Sequence, residues 1–212
     1  MKLIDLSVKD FLNIVDSKSP APGGGSVSAL VSALGCTLGR MVGHLTFDKV
    51  KYKELPEVEK TIFKSAFEEI NDYRNILEDL IDRDTAVYNL VMAAYKLPKE
   101  SDEEKASRKI NIEKNLKLAI EAPLKICKIS ERTLKALKVI LKYGNKNAIT
   151  DLGVSALLLY SGIEGGILNV KVNLKSLDDE RFKMETINQL NEILLGSKEL
   201  KEDILNIVNS SL

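Results

Sequence analysis

Residues 57–95, EVEKTIFKSAFEEINDYRNILEDLIDRDTAVYNLVMAAY, decide the fold of this 212-residue chain. Pro56 precedes them, and neither glycine nor proline interrupts the run before Lys96. Phe63, Phe67, Ile70, Leu77, Leu80, Val87, Val91 and Ala94 keep helical spacing throughout, so one long helix with one apolar face is expected. A helix of that length buries its stripe only against other long helices. The rest of the chain supplies them. Ser7 caps a short helix to Val15, a second helix runs from about Ser26 to Leu45, and a fourth from about Arg108 to Tyr143, kinked at Pro123 and ended by Gly144. A fifth is expected from Ala148 to Leu159, after which Gly162, Gly165 and Gly166 loosen the chain. Residues 167–174 alternate in the manner of a strand but lack a partner, and read as helix or extended connector. Residues 178–195 and 198–208 close the chain as helices. The expectation is an all-α fold, a bundle of long antiparallel helices forming a single domain over residues 1–212.

Composition narrows the function classes. Lys+Arg and Asp+Glu both number 31, tryptophan is absent and aromatics make up 5%. No global field or stacking platform points to nucleic acid or an anionic membrane. Cys36 and Cys127 lie alone in apolar stretches, which suits buried thiols in a reducing cytoplasm. The start of the chain shows no signal-peptide core, and the apolar run from Val27 to Gly39 is short for a bilayer span. With one histidine, His44, and two distant cysteines, neither a zinc site nor a nucleophilic triad is expected. His44 itself reads as a surface or satisfied residue.

Five features stand apart from the helical pattern. Ser19-Pro20-Ala21-Pro22-Gly23-Gly24-Gly25-Ser26 strips the backbone bare just ahead of helix two. It reads as a tight turn or as a ligand-cradling loop with positive φ, and Ser26 as the N-cap. Ser28, Ser32, Gly35, Gly39 and Gly43 share one face of helix two and call for a closely packed neighbour, in the same chain or across a two-fold axis. Asp84 lies between Leu80 and Val87 on the long apolar seam, where a carboxylate must be paired, protonated or functional. Gly144-Asn145-Lys146-Asn147 with Thr150-Asp151 packs amides, an ammonium and a carboxylate into one turn, either as turn chemistry or as a grip on a polar heterocycle. Lys128, Arg132, Lys135, Lys138 and Lys142 add a basic face on helix four, a solvated face or a holder for a polyanionic tail. P-loop and dinucleotide spacings are absent from the glycine run.

Taken together, Pro20 to Ser26, Asp84, Gly144 to Asn147 with Asp151, and the pairs Asn169-Val170 and Asn173-Leu174 resemble the formiminotransferase-cyclodeaminase C-terminal family. Thr150 stands where relatives are expected to carry serine. The resemblance implies a helical subunit, a homodimer or larger assembly, a tetrahydrofolate derivative as substrate, and no metal or other cofactor. It implies Asp84 and Asp151 as the catalytic pair. It implies substrate contacts from Pro22, Gly23, Gly24, Gly25, Ser26, Gly144, Asn145 and Asn147, with Lys128, Arg132 and Lys135 toward the glutamate tail. Formimidoyltetrahydrofolate cyclodeaminase is the first expectation, methenyltetrahydrofolate cyclohydrolase the second, and a non-enzymatic ligand-binding bundle the third. For the deaminase, a separate glutamate formiminotransferase is the expected source of substrate.

Overall fold

The computed structural model describes residues 2–212. Its helices are α1 (Val8–Val15), α2 (Gly24–Phe47), α3 (Val50–Lys53), α4 (Glu57–Tyr95), α5 (Asp102–Tyr143), α6 (Ile149–Leu174) and α7 (Glu180–Asn209). Short 3-10 turns occupy Leu3–Asp5 and Lys146–Ala148, and no strand occurs among the described residues. The long run after Pro56 is one unbroken helix, as its spacing predicts. α5 starts earlier than expected because Ser101 and Glu104 form a reciprocal cap, each side chain bonded to the other's backbone N–H at 3.1 Å.

Residues 167–174 are helical. Ile167, Val170 and Leu174 turn into the core while Leu168 and Val172 face outward, so two apolar faces of one helix mimic strand alternation. The glycines expected to loosen this segment do the opposite. A Cβ on Gly162 would overlap Ser32 Oγ, and one on Gly165 would overlap Ser28 Oγ, so their absence lets α6 lie directly on α2. α7 likewise continues through Gly196, capped by Asp179, which accepts from the Phe182 N–H at 3.0 Å.

α2, α4, α5 and α6 form a ring in which each helix packs against its neighbours. Arg40 meets Phe67 and Ser26 meets Ile81, so α2 and α4 run antiparallel. The same reading of Asn115 with Leu90, of Asn173 with Ala119, and of Gly24 with Asn169 makes every adjacent pair in the ring antiparallel. α2 and α5 lie across the diagonal and run parallel, joined by Ser130 Oγ donating to Ser32 Oγ at 2.8 Å. α7 lies along α5 and α6, tied by Lys138–Asp203 and Lys117–Asp179. The buried apolar side chains form one cluster through this ring.

The small-residue face of α2 is consumed inside the chain. Gly35 meets Leu159, Gly39 meets Leu137 and Gly43 meets Phe67, so of the two neighbours expected for these glycines it is the one in the same chain that they admit, not one across a two-fold axis. The apolar stretch of α2 also proves longer than the span from Val27 to Gly39. α2 and the segment from Lys146 to Leu174 are each long and apolar enough to cross a membrane, but about half of each is buried in the bundle. Arg40 fits this helix by donating to the Phe67 carbonyl at 2.6 Å and lying 3.9 Å over its ring.

Candidate active site

Asp84 sits where the start of α2 meets the middle of α4. The run before α2 does not end in a serine cap: Gly23 takes that place, and Ser26 is the third helical residue. Its backbone N–H, one of the donors a helix start leaves unpaired, goes to Asp84 Oδ2 at 3.0 Å. A carboxylate on another helix therefore caps α2. Ser26 Oγ donates to the Ile81 carbonyl at 2.7 Å and lies 3.2 Å from Thr85 Oγ1, locking the contact from behind. No glycine of the run has positive φ, contrary to expectation. The requirement is room: a Cβ on Gly25 would overlap the Asp84 carboxylate.

A cavity of about 320 Å³ opens beside this junction. Pro20, Ala21, Gly23 and Gly24 form one rim; Val87, Tyr88, Val91, Met92 and Tyr95 of α4 and Leu116 and Ala119 of α5 supply an apolar wall. Asn169, Val172 and Asn173 of α6 complete it with Ser176. Asp84 is the only charged side chain in the lining. Burial raises its pKa above the usual carboxylate value, opposed by the hydrogen bonds from Ser26. Its Oδ1 accepts no hydrogen bond from the described residues.

Asn173 is placed by a proline. Pro123 has no N–H, so the Ala119 carbonyl one turn earlier loses its helical donor. Asn173 Nδ2 fills that vacancy at 3.0 Å and donates also to the Asn169 carbonyl at 3.0 Å. Asn169 Nδ2 donates to the Gly165 carbonyl at 2.8 Å. With both N–H of its amide engaged by main chain, Asn173 offers its oxygen as an acceptor, while Asn169 offers its oxygen and one remaining N–H. In the sequence both asparagines figure only through the family resemblance; a proline inside a helix and two asparagines one turn apart are the signal that points to them as site members.

The remaining predicted residues divide. Gly23 and Gly24 line the cavity; Pro22 is buried beneath it, and Gly25 and Ser26 act through Asp84. Gly144, Asn145 and Asn147 are at the far end of α2, where the Asn145 N–H donates to Thr46 Oγ1 at 2.9 Å. Gly24 and Thr46 are separated by roughly 33 Å of helix. Asp151 is half-buried in the first turn of α6, roughly 27 Å along that helix from Asn169. One chain does not bring Asp151 to Asp84. Lys128, Arg132 and Lys135 lie outside the cavity; Lys135 is paired with Glu131 at 2.7 Å and Lys138 with Asp203 at 2.8 Å, while Lys128 and Arg132 flank a shallow recess with Glu121. Among the described residues no three His, Cys, Asp or Glu side chains gather closely enough to hold a metal.

Comparison with known proteins bears on this cavity. A family model described as formiminotransferase-cyclodeaminase matches residues 7–192. A methenyltetrahydrofolate cyclohydrolase of Methylorubrum extorquens is 36% identical over 97% of this chain and 97% of its own length. The formimidoyltransferase-cyclodeaminase of Rattus norvegicus is 33% identical over 92% of this chain, but the match covers only 36% of that longer protein. A solved structure of formiminotetrahydrofolate cyclodeaminase from Thermotoga maritima aligns with a TM-score of 0.84 at 28% identity, covering 99% of this chain and 98% of the other.

Proposed function

Because this chain belongs to the formiminotransferase-cyclodeaminase family, an enzyme family that acts on tetrahydrofolate derivatives, we propose that it works at the carbon bridging folate N5 and N10, as a methenyltetrahydrofolate cyclohydrolase. One observation carries the reading: a single carboxylate in a cavity with no cation in its lining. The methenyl bridge is a delocalised amidinium, and Asp84 with the Asn169 and Asn173 oxygens complements it where an anion would be repelled. Ser26 holds Oδ2 in place, leaving Oδ1 to handle protons. Water adds to the bridging carbon as Asp84 takes one of its protons. The carbon–N5 bond then breaks, N5 gains a proton through Asp84, and the second water proton is released as 10-formyltetrahydrofolate forms. Hydrolysis is preferred here over the deaminase because, of the two relatives of matching length, the one named for hydrolysis is 36% identical and the one named for deamination 28%.

The deaminase remains a second reading, supported by the Thermotoga maritima structure. There N10 attacks the formimino carbon, the N10 proton passes to the imino nitrogen, and the Asp84 carboxyl gives that nitrogen a second proton as its bond to carbon breaks and ammonia leaves, a role favoured by the burial that raises its pKa. Ultraviolet absorbance of the methenyl group separates the two. Loss of absorbance from methenyltetrahydrofolate, faster than without enzyme, is expected; its appearance from the formimino substrate would favour the second reading, and activity in neither would overturn both.

We also infer a two-fold assembly through the outer face of α2 and α6. Val27, Leu30, Leu34, Leu38, Met41 and Leu45 of α2 form a half- or fully exposed apolar stripe, beside Val154, Leu157, Leu168 and Val172 of α6. No helix of the chain covers it. With the axis crossing α2 at mid-length, each Asp84 cavity meets the Gly144–Asp151 turn of the other copy. Leu157→Glu should convert the dimer to monomer in sedimentation. Mixing inactive Asp84→Asn subunits with inactive Asp151→Asn subunits should restore activity; no recovery from exchanged subunits would confine the site to one chain.

A further inference from the structure

Pro123 lies buried near the middle of the 42-residue α5 and takes one main-chain donor out of that helix. Two contacts bring α6 close onto α5 beside it. A Cβ on Gly166 would stand 3.1 Å from the Pro123 carbonyl, and the Cys127 thiol donates to the Ile163 carbonyl at 3.4 Å. About two turns further along α6, Asn173 reaches the Ala119 carbonyl that the proline leaves without a helical donor. Its second N–H goes to the Asn169 carbonyl. Both partners are carbonyl oxygens, which can only accept, so the amide nitrogen is tied to the helices. The amide oxygen accepts no hydrogen bond from the described residues, and the side chain lines the Asp84 cavity. A free side-chain amide can turn over and offer a ligand either a donor or an acceptor. Here that turn would set oxygen against two carbonyl oxygens, so Asn173 is confined to accepting.

We propose that Pro123 is a positioning residue that fixes the polarity of Asn173, so that the cavity favours the cationic substrate over the neutral product. The inference rests on the hydrolase reading. The methenyl bridge carries positive charge and presents no acceptor, whereas the formyl group that replaces it ends in a carbonyl oxygen that takes a donor. An amide locked as acceptor attracts the first and gives the second no hydrogen bond. Asp84 and Asn173 are then two acceptors lining one cavity, and Asn169 alone of the two amides keeps an N–H for the ligand. A residue with a main-chain N–H at position 123 would give Ala119 its helical donor. One N–H of Asn173 would be released to turn inward, and the site would hold its product more tightly.

Steady-state kinetics and calorimetric melts of Pro123→Ala, Asn173→Ala and the double variant test it. In Pro123→Ala, KM for methenyltetrahydrofolate should rise and the inhibition constant for 10-formyltetrahydrofolate should fall, each by about 3- to 10-fold, the weight of one hydrogen bond. A proline that acts only on the shape of α5 would move both constants in the same direction or neither, and either result overturns the proposal. In the Asn173→Ala background the proline change should move neither constant, because its effect passes through that amide. Additive changes there overturn the proposal too. Without ligand, Asn173→Ala should melt below wild type, since the Ala119 carbonyl loses its donor. Adding Pro123→Ala should then raise the melting temperature by more than it does in wild type, where Asn173 already serves that carbonyl. An equal gain in both backgrounds would show that the main chain does not take over from Asn173, and the lock would fall whatever the reaction. A wild-type protein that does not open the methenyl ring fails the hydrolase reading, and the preference for substrate over product with it, while the melts judge the lock separately.

Discussion

At the start of α2 one carboxylate stands among Val87, Val91, Met92 and Leu116 with no cation in the lining, whereas at the end of the same helix four lysines surround a cavity with no carboxylate. The signs follow the helix dipole, which favours negative charge at the N-terminus and positive charge at the C-terminus. The environments differ more than the signs. Asp84 is half-buried, and burial raises its pKa above the ordinary carboxylate value, which suits a group that exchanges protons. The lysines line their cavity with positive charge. The contrast sets a buried carboxylate against a cluster of ammonium groups on two ends of a single helix, ends that the inferred two-fold assembly would bring together from two copies.

The sharpest way to break that contrast is Asp84→Asn. Shape and the acceptor for the Ser26 N–H survive, while proton transfer does not. Turnover followed by methenyl absorbance should fall about 10²-fold or more. Near-normal turnover would strip Asp84 of its role and leave the cavity a binding pocket.

Next in size is the pair Gly25→Ala and Gly24→Ala, which tests the acidic end by one methyl group. At Gly25 the methyl group collides with the Asp84 carboxylate, and displacing that group by about 1 Å can cost up to about 10² in rate. Overpacking should also lower stability by about 1–3 kcal/mol in denaturant titrations. At Gly24 the nearest atom is Asn169 Nδ2 at 3.1 Å, the end of a side chain that can shift. There alanine should change stability little, because its helix propensity offsets the strain, and the main effect should be on KM. Equal behaviour of the two variants would mean that the glycine run is only a turn.

These tests also mark what was legible. The three- and four-residue spacing of residues 57–95 announces a long helix, and Asp84 announces itself by interrupting an apolar seam. The glycines of α6 mislead, because a helix breaker and a close helix contact leave the same mark; only Ser28 and Ser32 opposite them tell the two apart. The Gly144 to Asp151 turn is visibly polar, but its distance from Asp84 emerges only once α6 is known to run unbroken to Leu174. Asn173 is visible in sequence only as part of the family resemblance, because its place at the cavity depends on Pro123 of a neighbouring helix freeing the Ala119 carbonyl. Local pattern shows what a residue violates; contacts between distant segments decide what the violation is for.

The smallest expected effect separates the two ends by pH. Since burial raises the folded-state pKa of Asp84 above its ordinary 3.8, folding favours the protonated form. The stability this group contributes is fully present below the ordinary carboxylate value and is lost as pH rises through its raised folded pKa. At neutral pH the wild-type carboxylate is therefore a burden that the non-titrating Asp84→Asn variant escapes. The variant should melt slightly higher than wild type near pH 7, and its advantage should shrink as the pH is lowered toward about 4. Lys142 provides the contrast: its ammonium pKa is raised by the Tyr143 contact, so it stays charged throughout that window, and Lys142→Gln should shift the melting temperature by the same amount at both ends. Calorimetric melts at stepped pH decide the matter. An Asp84→Asn difference that is flat with pH would mean that the carboxylate is as well solvated in the folded protein as in the open chain, and the reason to single out this end for proton transfer would disappear.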